Sequence, residues 1–340
     1  MATIKDIARA CNVSTATVSY VINGKNTLLP ETRERVTRAM REMNYHPSAV
    51  ARGLASKRMN TLGILFDNVG PSIAVTHPYT SGILQGVVAA AAEAGHNVTL
   101  FTDLWRSAAE SLPALRDQRT DGIIIVAPPT DVDILPALAS ASLKCVTVSS
   151  NSGPLGIPCV DIDNAAGVTL AFQHLRALGH RRIAFLSGQA NMWSAAVRLG
   201  AFQAALQASG LCVPPEYMAN CSYQEADEAY AHTQRLLSRP DPPTAFLAGN
   251  DQIALVILAA ARDFGVPVPK RLSVVGFDDI PDAATARPAL TTVRQPLADI
   301  GAAAARLLLR MLSGESVPAE CQLIEPLLIV RGTTAPPETP

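Results

Sequence analysis

From about residue 60 the chain alternates between short apolar runs and longer amphipathic stretches. The runs "TLGILF", "NVTLF", "DGIIIVA" and "CVTVS" are separated by helix-length segments near 82–94, 112–118 and 134–141. After Pro158 the alternation resumes with "CVDID", a segment over 164–178, "RIAFL", a segment over 195–209, and then "TAFLA" and "LSVVGF". Continuous apolar runs between helical segments predict parallel strands covered on both faces. Two such series predict two doubly wound parallel-sheet subdomains. Ligands in such folds sit at the carboxyl ends of the strands, so a cleft between the two is expected there.

The first 46 residues carry a different pattern. Ile4, Ile7, Ala8 and Cys11 fall at helical spacing, and Ser14 is a suitable N-cap for a second helix running to about Asn23. "NGK" breaks that helix, Pro30 and Glu31 open a third, and "NYHPS" closes it, because the residue before Pro47 disfavours the α conformation. Ile7, Cys11, Val13, Val18 and Val21 supply the buried offsets of a helix-turn-helix, and Asn12 tolerates the left-handed turn between its helices. Thr15, Ala16, Ser19, Tyr20 and Asn23 are left on the outer face of the second helix. That face is short, polar and uncharged, which suits a DNA major groove. A helical hairpin packed on another domain is the alternative.

Charge sharpens the choice. Residues 1–58 hold ten Lys/Arg against four acids, a balance of +6, while the whole chain is −1 and the remainder therefore −7. A basic arm on an acidic body predicts a polyanionic partner for the arm. With 48% apolar and 17% charged residues, the 340-residue chain is a well-packed globule of two or three domains rather than a disordered one. Six scattered cysteines without a C-x-x-C read as small buried hydrophobes in a reducing compartment. The N-terminus has no apolar leader and no run is long enough to span a bilayer, so a cytoplasmic protein without membrane contact is expected.

The stretch "ATIKDIARACNVSTATVSYVINGK", followed by "TRERVTRAMREMNYHPSAVARGLASKRMNTLGIL", resembles the head of the LacI (lactose- and purine-repressor-like) family of transcription regulators. The resemblance implies an all-α helix-turn-helix head over 1–46, a hinge over 47–59 and an α/β two-lobed, periplasmic-binding-protein-like core. Its N-subdomain would be 60–160 with 292–321, its C-subdomain 161–291 with 322–335, and 336–340 a tail. Thr15, Ala16 and Tyr20 match the family's base-reading positions, with Tyr20 standing where well-known relatives have Arg or His. Thr3, Ser14, Thr17, Ser19 and Asn23 would hold phosphates or cap helices. "PSAVARGLAS" reads from composition as a plain linker, whereas the resemblance makes it a hinge helix whose Leu54 wedges into the minor groove.

Cleft candidates follow from the strand-end rule. Tyr79 and Thr80 lie in "THPYTSG", Ser149 and Ser150 after "CVTV", and Trp193 and Arg198 in "NMWSAAVRLGAF". Asn250 and Asp251 follow "TAFLA", Asp278 follows "VVGF", and Tyr223 is a candidate aromatic lid. Arg198, Asn250 or Asp251, and Asp278 match the family's effector-contacting positions. An Arg fork, a carboxylate and aromatic walls suit a sugar-like ligand, and less well a nucleobase. Catalytic motifs (P-loop, H-E-x-x-H, G-x-S-x-G) are missing, so no catalytic residue, metal or cofactor is expected. "DIDN", residues 161–164, reads as a crossover strand with a helix cap at Asn164 rather than as a metal pair. The expectation is a ligand-responsive homodimeric repressor on a pseudo-palindromic double-stranded operator. A purine-type corepressor-dependent regulator and a transporter's solute-binding protein are the alternatives. The chain lacks a C-terminal leucine heptad, which argues against tetramers.

Overall fold

The structure is a computed structural model, and it describes residues 2–22, 28–46, 53, 58–66, 75–223 and 225–338. The chain divides into two compact units, Met1–Thr61 with Leu115–Asp121, and Leu62–Ala114 with Gly122–Pro340.

The first unit contains α1 (Ile4–Ala10), α2 (Thr15–Ile22) and α3 (Pro30–Glu42). Each start has a local cause. Thr3 and Asp6 form a reciprocal capping box at α1, Ser14 Oγ accepts from Thr17 N at 3.0 Å at α2, and Pro30 sits at the first position of α3. Asn12 turns the chain between α1 and α2 at φ +49°, the left-handed conformation expected of it. Ile7, Ala8, Cys11, Val18, Val36 and Ala39 are buried together, with Val13 and Val21 packed against them.

The second unit holds two six-stranded sheets. The first has the order β11-β5-β4-β3-β1-β2, from β1 (Thr61–Phe66), β2 (Asn97–Phe101), β3 (Gly122–Val126), β4 (Cys145–Val148), β5 (Cys159–Ile162) and β11 (Cys321–Ile324). The second has the order β12-β10-β9-β8-β6-β7, from β6 (Ile183–Ser187), β7 (Met218–Asn220), β8 (Ala245–Ala248), β9 (Ser273–Asp278), β10 (Thr291–Arg294) and β12 (Leu327–Ile329). β1, β3, β4, β5 and β11 run parallel, as do β7, β6, β8, β9 and β10, while β12 lies antiparallel on β10. All residues of β3, β6, β8 and β9 are buried, which is why these strands read as continuous apolar runs.

Helices fill the crossovers: α4 (Pro78–Glu93), α5 (Ala108–Leu115), α6 (Ile134–Ser140), α7 (Asn164–Ala177), α8 (Trp193–Ala208), α9 (Ala226–Leu237), α10 (Asp251–Asp263), α11 (Pro281–Thr285) and α12 (Leu297–Ser313). The sheets exchange chain after Ile162, Arg294 and Ile324, a few residues beyond the divisions at 160, 291 and 321 drawn from the sequence.

α4 and α12 pack so closely that a Cβ on Gly86 would overlap the backbone of Ala298, and one on Gly301 the backbone of Ile83. Gly200, inside α8, has nothing near its missing Cβ. Glycine to alanine inside an exposed helix normally stabilises by about 0.5–1 kcal/mol. Gly200→Ala should therefore raise the midpoint of thermal unfolding, whereas Gly86→Ala and Gly301→Ala should each lower it, as measured by calorimetry.

Candidate functional site

The first unit presents the outer face of α2. Thr15, Ala16 and Tyr20 are exposed on it, and Thr17 and Ser19 are half-buried. Thr3 is occupied at the α1 cap, where its hydroxyl donates to Asp6 Oδ2 at 2.7 Å, and this bond holds the Asp6 carboxyl below its usual range. Ser14 Oγ lies 2.9 Å from Thr17 Oγ1 and also caps α2, so the capping half of the expectation for these hydroxyls is what the geometry contains. Asn23 and Leu54 lie outside the described residues.

The second unit contains a cleft of ≈ 490 Å³, counting its open mouth. Tyr79, Thr80 and Ala127 line it from the first subdomain, and Ser194, Arg198, Tyr223, Asn250 and Asp278 from the second. His77, Met192 and Gln295 complete the wall.

Arg198 forms the floor and is 3% exposed. Its Nε donates to Asn164 Oδ1 at 2.7 Å and its Nη1 to the carbonyl of Gly249, and its guanidinium lies 3.7 Å over the Phe277 ring. Asn164 in turn donates to Asp161 Oδ2 at 3.1 Å. A chain of polar contacts thus runs from β5 in the first sheet, through the start of α7, to α8 and the end of β8. Burial pushes the Asp278 carboxyl up to about 7, with Arg198 pulling against it, and pushes Asp161 up to about 6. Gln295 Nε2 donates to Asp278 Oδ1. Tyr79 is raised above its ordinary value, first by burial and then by the charge of Asp161.

Four non-glycine residues at these strand ends hold positive φ: Ala127 at +48°, Ser149 at +57°, Asp278 at +128° and Asp279 at +61°. Such conformations are uncommon and collect at functional sites. Tyr223 lies where a Cβ on Gly188 would be, and among the described residues its buried hydroxyl has no hydrogen-bond partner.

The rim is bridged between the subdomains on both sides. Tyr79 N donates to His77 Nδ1 at 3.3 Å, which fixes the proton on Nε2, and Nε2 donates to Gln252 Oε1 at 2.8 Å. Elsewhere Thr130 N and Oγ1 both donate to the Asn191 carbonyl, at 2.8 and 3.0 Å, and Asn191 Nδ2 donates to Asp131 at 3.2 Å.

Four expectations from the sequence are corrected. Trp193 opens α8 half-buried and does not line the cleft; Ser194 and Arg198, four residues apart, share the inward face, and Trp193 points about 100° away from Ser194. Asp251 is fully buried on the far side of Asn250, where it accepts from Ile280 N at 2.9 Å and from the Thr292 hydroxyl. Asn250 both caps α10, through Ile253 N at 2.9 Å, and lines the cleft. Ser149 lies beside Tyr79 rather than on the wall. The cap of α7 is Asp163, accepting from Ala166 N at 2.9 Å, which frees Asn164 for the Arg198 network. The sequence reading missed His77, Met192, Ser194, Gln295 and Asp161; Gln295 follows "TTVR", where the strand-end rule already pointed.

Residues 3–48 match the bacterial regulatory proteins of the lacI family, and residues 172–334 match the periplasmic-binding-protein-like domain. The chain is 33% identical over 318 residues to catabolite control protein A of Priestia megaterium, covering 93% of this chain and 94% of that protein. It is 30% identical over 340 residues to the HTH-type transcriptional repressor PurR of Klebsiella pneumoniae subsp. pneumoniae, covering 98% and 97%. The lac repressor dimer bound to operator and the anti-inducer ONPF superposes with a TM-score of 0.86 at 28% identity, covering 98% of this chain and 99% of that one. The CelR–cellobiose complex superposes at 0.73 with 31% identity, covering 98% and 100%. These relatives regulate transcription, and no helix among the described residues is long and apolar enough to cross a membrane. With a helix-turn-helix head, a two-sheet effector-binding domain and relatives matched along nearly its whole length, the chain belongs to the lacI family of bacterial regulatory proteins.

Proposed function

We propose that the protein is a cytoplasmic, homodimeric repressor of carbohydrate-related genes that binds a neutral, hydroxyl-rich effector in the cleft and a pseudo-palindromic operator through paired heads. The observation that carries this reading is the convergence of Arg198, Asp278, Asn250, Tyr79 and Tyr223 on one cleft in a chain with a helix-turn-helix head. A guanidinium fork and a carboxylate pair with vicinal hydroxyls, and two tyrosine rings offer faces for a sugar ring. The structural relative in complex with cellobiose supports the ligand class. The relative PurR favours a second reading, a purine-type corepressor, with the same two tyrosines as stacking faces. Thr15, Ala16 and Tyr20 are assigned to base reading and Leu54 to the minor-groove wedge. Thr3, Ser14, Thr17, Ser19 and Asn23 position the backbone. Ligand in the cleft would bias the relation between the subdomains, and through the hinge the pairing of heads on DNA.

A thermal-shift screen with neutral mono- and disaccharides in one arm and purine bases in the other separates the two readings, and operators selected from a randomised duplex pool give the DNA partner. Arg198→Lys, which keeps the charge but loses the fork, should weaken the selected ligand at least about tenfold while operator affinity stays within about twofold. Tyr20→Ala should do the reverse. A ligand shift that survives in Arg198→Lys would remove Arg198 from the site.

The sign of the pH dependence follows from Asp278. Its carboxyl titrates near 7, so below that value it loses the charge that accepts a ligand hydroxyl. Calorimetric titration between about pH 8 and 6 should show affinity falling as pH falls, by up to about tenfold per unit below 7. Asp278→Asn should bind weakly with a flat profile.

A further inference from the structure

β5 and β11 are neighbours in the first sheet, and Cys159 and Cys321 stand in direct register on them. Adjacent strands lie about 4.8 Å apart, within the Cα separation of roughly 4.4–6.8 Å that a disulfide spans. Cys159 Sγ donates to the Ser150 carbonyl at 3.2 Å, and the neighbouring Cys159 thiol and burial push the Cys321 thiol up. Both are reduced in the structure. Their accessibility is unequal: Cys159 is fully buried, whereas Cys321 is half-exposed and lines a surface cavity of ≈ 830 Å³ with Ser150, Asn151, Gly153, Ala319 and Glu320. The pair also sits close to the connections between the sheets. β5 runs into the crossover at Asp163 and β11 into the one after Ile324, and Asp163 N donates to the Ile324 carbonyl at 2.9 Å.

We propose that Cys159 and Cys321 form a peroxide-responsive dithiol that closes to a disulfide and ties together two of the strands connecting the subdomains. Although burial and the neighbouring Cys159 push its thiol up, Cys321 is the half-exposed sulfur of the pair, and it attacks one oxygen of a peroxide diffusing into the cavity. The O–O bond breaks, the thiol proton goes to the departing hydroxide, and a Cys321 sulfenic acid and one water result. The Cys159 sulfur then attacks the Cys321 sulfur, the S–S bond forms, the S–O bond breaks, and the hydroxide leaves as a second water with the Cys159 proton. Two thiols lose two electrons, and hydrogen peroxide gains them. Closure restrains β5 against β11 where each leaves the first sheet, so a rotation between the sheets that moves these connections against each other is resisted.

The test uses the full chain carrying Cys212→Ser, which removes the exposed thiol as a competing site. After mild hydrogen peroxide and blocking of remaining thiols, non-reducing peptide mapping should find the Cys159 and Cys321 peptides joined with loss of two hydrogens, and dithiothreitol should separate them. Adding Cys159→Ser should eliminate the joined species and let a Cys321 sulfenic acid accumulate, trapped by dimedone. Should that variant fold poorly, the joined peptide in the Cys212→Ser protein still decides the matter. Accumulation of sulfenic, sulfinic or mixed-disulfide Cys321 without joining, or joining that appears only after the protein is unfolded, would overturn the proposal.

Discussion

One guanidinium, kept charged out of water, organises the core of this regulator. Arg198 is 3% exposed, so its guanidinium lies out of water. An uncompensated buried charge is strongly unfavourable, so the surroundings must answer it with acceptors and negative charge. They do so with the Asn164 amide oxygen, the Gly249 carbonyl, the face of Phe277 and the nearby carboxyls of Asp278 and Asp161. Those carboxyls are themselves raised by burial, so charge at the cleft floor is finely balanced. A ligand hydroxyl added there meets groups already desolvated, where a hydrogen bond is stronger than at a wet surface.

The same contacts bridge the two sheets. Asp161 belongs to the first, Asn164 starts the crossover helix, Asp278 belongs to the second, and Arg198 and Gly249 sit on α8 and just after β8 beside it. The rim contacts of His77 with Gln252 and of Thr130 and Asp131 with Asn191 add weaker bridges of the same kind. Rotation of one sheet against the other must therefore rearrange the groups that line the cleft. This is the physical basis on which cleft occupancy can be coupled to the relation between the two sheets. The backbone at the strand ends is consistent with a poised site, since Ala127, Ser149 and Asp278 all hold positive φ without being glycine.

Much of this was legible in the sequence. Parallel strands buried on both faces read as unbroken apolar runs, so the two βαβ series could be placed directly. Ser14 and Asn12 announced a cap and a left-handed turn because their side chains favour those local states. What the sequence could not resolve was which of two consecutive strand-end residues turns inward. Asn250 faces the cleft while Asp251 is recruited by Ile280 N and Thr292, contacts made by residues far along the chain. Trp193 failed for the related reason that one helical position is worth about 100°. Asp161 and Asn164 looked like local capping chemistry, and only the fold brings Arg198 to them.

The head is a small three-helix unit whose core is built from Ile7, Ala8, Cys11, Val18, Val36 and Ala39, leaving Thr15, Ala16 and Tyr20 outward. The central claim is that occupancy of the cleft and of the operator share one free energy of coupling. The most direct measurement is a closed thermodynamic cycle on the full chain: operator affinity with and without saturating ligand, and ligand affinity with and without saturating operator. The account predicts a change of at least about fivefold in each, equal within error, since linkage is reciprocal. Ligand binding that depends on Arg198 but leaves operator affinity unchanged would contradict it.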